Sequence, residues 1–431
     1  MNISDVFKKE LEKIKLSDEE YKNLDHLSSL VIESINKKLK RKKIDAKVFV
    51  GGSLAKKTLI KKPKYDVDLF LRFNKKYSED EINKYCRRIF FFFIVPGYRT
   101  KVKKVHGSRD YYHLHFKNHN IVFEIVPTVS IKNPEEARNI TDLSYFHVSY
   151  VTKEINKNKK LRDEILLAKS FCYSQGCYGA ESYINGFSGY AIELLIIYFK
   201  SFKKFIETLS KAQNKIVIDM SKHYKNSSEL IKEMNPSKIK SPVILIDPTF
   251  KKRNASGALS YETFNKFKIA SHGFLTHPGE HFFDYNKNKG DELKEIAKRL
   301  EVTYSVFEVK TGKQEGDIAG SKLLKFSKVL TRDISKYYTI IGHNFEYEYG
   351  KTARVYYVLQ KKEEIIINGP NIHMKNAVEN FKKKHPIWYI EDSKIKSAMP
   401  TDITLKDFLK TFKKTHKKVM KEMSIKKVKL V

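Results

Sequence analysis

The sequence predicts an α+β chain built in three parts: a small mixed sheet with helices over residues 1–150, a helical centre over 151–285, and an α/β region over 286–431. Three observations lead there. Short β-branched or aromatic segments separated by turn residues fill the first part. Apolar residues are dense and helically spaced from Lys160 to about Phe205. Beyond Asp284, long helical patterns mix with aromatic-rich strands such as YEYGKTARVYYVLQ. A length of 431 residues also exceeds what one hydrophobic core usually serves, so several domains are expected.

Taken in order, Ser17 and Glu20 have the spacing of a capping box. Leu24, Leu27, Val31 and Ile35 then recur at helical intervals as far as the basic run KKLKRKK, giving a helix with one buried face. VFVGGS, DVDLFLRF and IVFEIVPTVSI follow as strands. In the centre, glycines at 176, 179, 186 and 189 interrupt the helical pattern. KHYKNSSELIKEMNPSKIKS, residues 222–241, is polar and holds a proline, and reads as an exposed loop before the strand VILIDP. The last segment, LKDFLKTFKKTHKKVMKEM, sets Leu405, Phe408, Leu409, Phe412 and Val419 on one helical face. That stripe packs on the domain, and the lysines opposite are placed to track an RNA backbone.

Charge narrows the function. Against 50 Asp and Glu stand 84 Lys and Arg, a net +34 spread along the whole chain, which implies a polyanionic partner. The three cysteines, Cys86, Cys172 and Cys177, are too few for a disulfide framework and have no zinc-ligand spacing. The longest apolar stretches fall far short of the roughly 20 residues that cross a bilayer, and the N-terminus has no apolar signal region. A soluble, cytoplasmic protein without a membrane partner is the expectation.

Asp66 and Asp68 alternate with Val67 and Leu69, so a strand points both carboxylates to one face. Two such charges side by side shift a pKa or bind a divalent cation, and magnesium is held by carboxylates together with substrate phosphates. Gly51, Gly52 and Ser53 follow the strand VFV directly and precede a short helix, where glycine lets backbone N–H groups approach a phosphate. Glu124 in FEIVP is the candidate third carboxylate, opposite its apolar neighbours Phe123 and Ile125. Lys56 and Lys57 stand where they can neutralise a triphosphate.

A GGS turn, DVD on the next strand and a third acid on a later strand resemble the nucleotidyltransferase superfamily typified by DNA polymerase beta. More closely, GGSLAKKTL, YDVDLFL, FEIVP, YFHVSYV, DEILLAKSFCYSQGCYGAESYINGFSGY, ILIDPTFKKRNASGALS and KQEGDIAGSKLLKF are similar, in this order, to successive segments of the archaeal-type, class I CCA-adding tRNA nucleotidyltransferases. The likeness runs from about residue 45 to 330, with a weaker trace in NAVENFKKKHPIWYIED.

The resemblance implies a polymerase-beta-like catalytic head, a central nucleotide-binding and tRNA-binding domain and a C-terminal tRNA-binding domain. It implies template-independent addition of CCA to tRNA from CTP and ATP, with two magnesium ions on Asp66, Asp68 and Glu124. Gly52, Ser53 and Lys56 would meet the triphosphate, and His147, Lys169 and Tyr178 lie in segments that hold the nucleotide's phosphates and ribose. Arg253, with Asn254 beside it, matches the arginine that helps select the base. The tRNA would be gripped at its acceptor stem and T arm through phosphates and shape, with a homodimer as the assembly left open. Three positions depart from the pattern: Glu124 replaces the usual Asp, and Asn185 and Lys56 stand where the family commonly has Arg. Two alternatives stay open, a related RNA nucleotidyltransferase making partial CCA or adenylate tails, and a tRNA-binding module without catalysis.

Overall fold

Ser17 accepts from the Glu20 backbone while the Glu20 side chain returns to the Ser17 N–H, so the expected capping box opens a helix, Asp18–Arg41, that buries Leu24, Leu27, Val31 and Ile35. The computed structural model describes residues 2–107, 109–117, 119–285, 289–312, 315–348 and 350–431. The chain divides into two compact units, Met1–Ala180 with Ile184–Tyr285, and Glu181–Tyr183 with Asn286–Val431.

In the first unit, α1 (Ile3–Ile14) and α2 (Asp18–Arg41) precede β1 (Ala46–Val50), the single turn α3 (Gly52–Ala55), β2 (Tyr65–Phe73) and α4 (Glu79–Phe90). Then come β3 (Thr100–Val105), β4 (Tyr111–Phe116) and β5 (Ile121–Val129). The five strands form one sheet in the order β1-β2-β5-β4-β3, with β2 and β5 parallel and the other pairs antiparallel. Pro127 sits in β5 beyond the last residue that pairs with β4, so its missing N–H interrupts no ladder on that side. Val67, Leu69, Leu71 and Phe73 alternate into a core with α2, which leaves Asp66 and Asp68 on the other face.

A second core gathers α5 (Ser144–Lys157), α6 (Lys160–Ser174), α7 (Gly189–Phe199), α8 (Phe202–Ser210) and, further on, α10 (Tyr261–Thr276). The first helix joins it: Val6 is fully buried there, and Phe7 lies 5.3 Å from Phe202 and 5.8 Å from Phe274. Between α8 and α10 the strands β6 (Ile216–Ile218), β7 (Val243–Asp247) and β8 (Phe250–Asn254) form a small sheet. The stretch 222–241 departs from the loop expected. It contains α9 (Ser227–Glu233), and Tyr224, Leu230 and Met234 make a small core with Ile244 and Ile246, which buries β7 on that side.

The second unit carries α11 (Lys289–Arg299), β9 (Thr303–Thr311), α12 (Gly316–Ile334), β10 (Tyr338–Tyr347) and β11 (Thr352–Lys361). After them come β12 (Glu364–Asn371), α13 (Lys375–Lys384), β13 (Tyr389–Glu391), β14 (Lys394–Pro400), α14 (Leu405–Thr415), α15 (Lys417–Glu422) and β15 (Ile425–Leu430). Its larger sheet runs β10-β11-β9-β15 and its smaller one β12-β14-β13. The expected C-terminal helix breaks at His416 into α14 and α15, and Phe408, Leu409 and Phe412 are buried as its stripe requires. In KQEGDIAGSKLLKF, Lys313 and Gln314 lie outside the described residues. Among those described, no helix is long and apolar enough to cross a membrane.

Candidate active site

Strand register places the acids. Asp68 on β2 faces Glu124 on β5, and Glu124 faces His113 on β4, so three neighbouring strands set one row across the sheet, with Asp66 two residues from Asp68 on the same face. Glu124 Oε1 lies 2.8 Å from His113 Nε2. Lys62 Nζ is 3.9 Å from Asp66 Oδ2. Burial, then the charges of Glu124 and Asp66, push the Asp68 carboxyl up to about 7, while Lys56 and Lys169 pull the other way. Asp66, whose side chain is half exposed, is also raised, by desolvation and the charge of Glu124 against the pull of Lys62.

The GGS turn fits against this row. Gly52 has φ +55 and approaches so closely that a Cβ there would stand 1.6 Å from Asp68 Oδ2. The backbone N–H of Gly51 donates to the Asp68 carbonyl at 2.8 Å, tying the turn to β2. Since α3 is one turn long it has little dipole, and the turn offers the backbone of Gly52 and the partly exposed Ser53 rather than a helix end. The donor set, two aspartates and a glutamate on one face, suits a hard divalent cation. Among the described residues, no three His, Cys, Asp or Glu side chains converge on a point that could hold an ion.

Lys56, expected to face a triphosphate, is buried in an ion pair, its Nζ 2.5 Å from Glu193 Oε2 on α7. Lys169 on α6 reaches the same carboxylate, 2.7 Å from Oε1, and also donates to the Thr58 carbonyl at 3.1 Å and the Thr58 hydroxyl at 2.9 Å. An ammonium has three hydrogens, and Lys169 spends all three inside the protein. It therefore presents none to a phosphate, which departs from direct contact.

A second group assembles around Asp247, at the end of β7. Its fully buried carboxylate lies 3.0 Å from His147 Nε2 and 2.7 Å from Arg253 Nη1, and receives the Tyr190 hydroxyl at 3.0 Å and the Thr249 hydroxyl at 2.7 Å. Burial opposes its charge, but the His147 hydrogen bond, the Arg253 guanidinium and the Thr249 hydroxyl outweigh it and hold the carboxyl well below the usual range. His147 stacks on Tyr190 with centroids 4.1 Å apart, and the Arg253 guanidinium lies 5.3 Å from the same ring centroid. Burial, reinforced by Arg253 and Lys56, pushes the His147 imidazole down against the Asp247 carboxylate, which raises it. Arg253 Nε is buried without a hydrogen-bond partner in the protein. Tyr178 is joined to Phe187 by a strand bridge, and its hydroxyl comes 2.8 Å from where a Cβ on Gly189 would sit.

Asn254 does not fit the role of a nucleotide contact. Its Oδ1 accepts from the backbones of Leu245 and Ser256, each at 2.9 Å, and its Nδ2 donates to the Lys238 carbonyl at 2.8 Å and the Ser241 hydroxyl at 2.9 Å. Both donors are spent and the carbonyl oxygen is doubly used, so this side chain fastens the β7–β8 turn. Asn185 has φ +51, a left-handed conformation that Asn enters far more readily than Arg. Glu193, Thr58, Asp247, Tyr190 and His113 were not singled out from sequence. A signal for two of them was present: one carboxylate each in the apolar runs GYAIELLIIYF and VILID, where an unpaired charge is expensive.

Residues 32–172 match the family described as "Nucleotidyltransferase domain". Residues 163–284 match "tRNA nucleotidyltransferase, second domain". The CCA-adding enzyme of Nanoarchaeum equitans is 33% identical over 369 residues, covering 84% of this chain and 86% of that protein. That of Methanocaldococcus jannaschii is 28% identical over 417 residues, 92% of this chain and 87% of the relative. In fold, the chain is similar to a solved structure of Cid1, an RNA terminal uridylyl transferase, with a TM-score of 0.50 at 12% identity over 65% of this chain and 97% of that one. On the breadth of the Nanoarchaeum match, and with both family models in sequence, the chain belongs to the archaeal-type, class I CCA-adding tRNA nucleotidyltransferases.

Proposed function

We propose that this enzyme adds CCA to the 3′ end of tRNA in the cytoplasm, taking CTP and ATP without a template and releasing pyrophosphate. The observation that carries the reading is the pairing of Asp68 with Glu124 on adjacent parallel strands, with Gly52 packed against the Asp68 carboxylate. Asp66, Asp68 and Glu124 would hold two magnesium ions. When bound, such ions activate the RNA 3′-hydroxyl and offset the charge of the triphosphate and the leaving pyrophosphate.

The remaining work falls to the chain's own groups. The Gly52 and Ser53 backbone lets the triphosphate come close, and Lys56 faces it with the two hydrogens that its bond to Glu193 leaves over. His147, Tyr190 and Arg253 form a preassembled platform whose geometry Asp247 holds. Tyr178 serves the ribose and phosphate side. We assign residues 1–150 to the catalytic head, 151–285 to nucleotide and tRNA binding, and 286–431 to tRNA binding at the acceptor stem and T arm.

The test is incorporation of each nucleotide separately into tRNA trimmed of its CCA. Purified protein with magnesium should take up both CTP and ATP, and chelation or Asp68→Asn should abolish uptake. Incorporation of ATP alone would point to an adenylate-tailing enzyme, and neither nucleotide with any divalent metal would defeat the reading.

A further inference from the structure

Glu193 is a fully buried carboxylate in the middle of an apolar helix, and the catalysis described above gives it no task. It accepts three hydrogen bonds: Lys56 on Oε2 at 2.5 Å, and on Oε1 Lys169 at 2.7 Å and the Thr58 hydroxyl at 2.8 Å. Lys56 and Thr58 follow the GGS turn, whereas Lys169 and Glu193 belong to α6 and α7 of the other core. The cluster joins the turn that faces the acidic strand to the helices beside it.

Two cations meet one anion here, and the positive charge left over faces the acidic strand, where both lysines act on Asp68. The two ammonium groups differ in what they can offer a further anion. Lys169 has no hydrogen left, and Lys56 has two. Both charges already act on Asp68, and Lys56 acts on His147 as well, so the cluster lies within electrostatic reach of both halves of the site.

We propose that Glu193 is the positioning residue of the nucleotide site: it fixes Lys56 so that its remaining hydrogens meet the triphosphate, and it keeps Lys169 internal as a fixed positive charge behind it. Lys169 thereby acts on the triphosphate through space. The inference rests on the reading of Lys56 as a triphosphate contact. A lysine has one flexible charged tip, and a buried carboxylate supplies the orientation that a planar guanidinium has of itself.

The experiment is a double-mutant cycle with Lys56→Met and Glu193→Gln, reading KM for CTP and ATP, kcat, tRNA affinity and thermal melting. Lys56→Met should raise both nucleotide KM values about tenfold, the weight of one charge-assisted hydrogen bond. Glu193→Gln should raise them by a similar factor with kcat and tRNA affinity little changed, and the double variant should be no worse than Lys56→Met alone. If Lys56→Met raises KM but Glu193→Gln does not, or the two effects multiply, Glu193 does not act through Lys56 and the proposal is overturned while the reading of Lys56 stands. If Lys56→Met leaves KM unchanged, that reading itself falls. Should Glu193→Gln fail to fold, Glu193→Asp keeps the charge and shortens its reach by one methylene; it should raise nucleotide KM, and a wild-type KM in that variant overturns the proposal.

Discussion

Gly52 carries two constraints that no other residue type meets. Its φ of +55 costs a non-glycine residue about 1–2 kcal/mol. The 1.6 Å separation between a Cβ and Asp68 Oδ2 forces the carboxylate to move. Gly52→Ala is therefore expected to lower melting by a few degrees and to cut nucleotide incorporation by on the order of 100-fold, since about 1 Å of misplacement can have that effect. Wild-type incorporation with lowered melting would show that Asp68 lies away from the reacting atoms. Glu193 provides the pH counterpart. Burial would raise its pKa, but the charges and hydrogen bonds of Lys169 and Lys56 bring it from the ordinary 4.5 down to about 2. A depressed carboxylate stabilises the fold above its unfolded value, and that contribution, about 3 kcal/mol at most, disappears as pH falls from about 4.5 to about 2. Denaturant unfolding across that window should show a shallower loss in Glu193→Gln than in the unaltered chain, starting from a lower stability. At this scale the sequence was half legible. Asp66 and Asp68 are readable because two residues apart on a strand means one face. His113 and Glu193 were not, because each meets its partner through strand register or helix packing that local spacing does not encode.

In our reading the element that sets the base-side platform is the β7–β8 hairpin. Asp247 ends one strand, Arg253 stands in the other, and Asn254 fastens the turn through four hydrogen bonds to residues 238, 241, 245 and 256. Asn254→Ala leaves buried backbone groups unpaired, each at about 1–3 kcal/mol, so unfolding should fall by several kcal/mol in total. Because Arg253 is its neighbour, nucleotide KM should rise as well. Equal KM in the two proteins would show the platform to be independent of the hairpin's anchoring. Elements missed from sequence share a physical cause. TKVKKV and IKKVKL are the edge strands β3 and β15, and edges carry lysines that blur the apolar alternation. In α9, Leu230 is buried but the adjacent Ile231 is exposed, and one buried position is too little for a periodic signal. The capping box of α2, by contrast, is complete within four residues and was readable in advance.

For the molecule as a whole the governing quantity is the charge of +34. Binding of a polyanion by many exposed lysines releases counterions, so log affinity falls linearly with log salt, with a slope of about 0.7–0.9 per phosphate contacted. Nucleotide binding in our reading depends instead on a few groups, chief among them Lys56, buried against Glu193, and burial limits screening. The two substrates should therefore separate. Raising salt from about 50 mM to about 200 mM is expected to weaken tRNA binding by on the order of 1,000-fold if some six or more phosphates are neutralised, while KM for CTP at saturating tRNA changes less than about threefold. Fluorescence titration of tRNA and initial-rate measurements across the same salt series would read both. Parallel salt dependence of the two constants would mean that the nucleotide, like the tRNA, is held mainly by exposed charge, and that the buried lysine cluster has no special part in holding it.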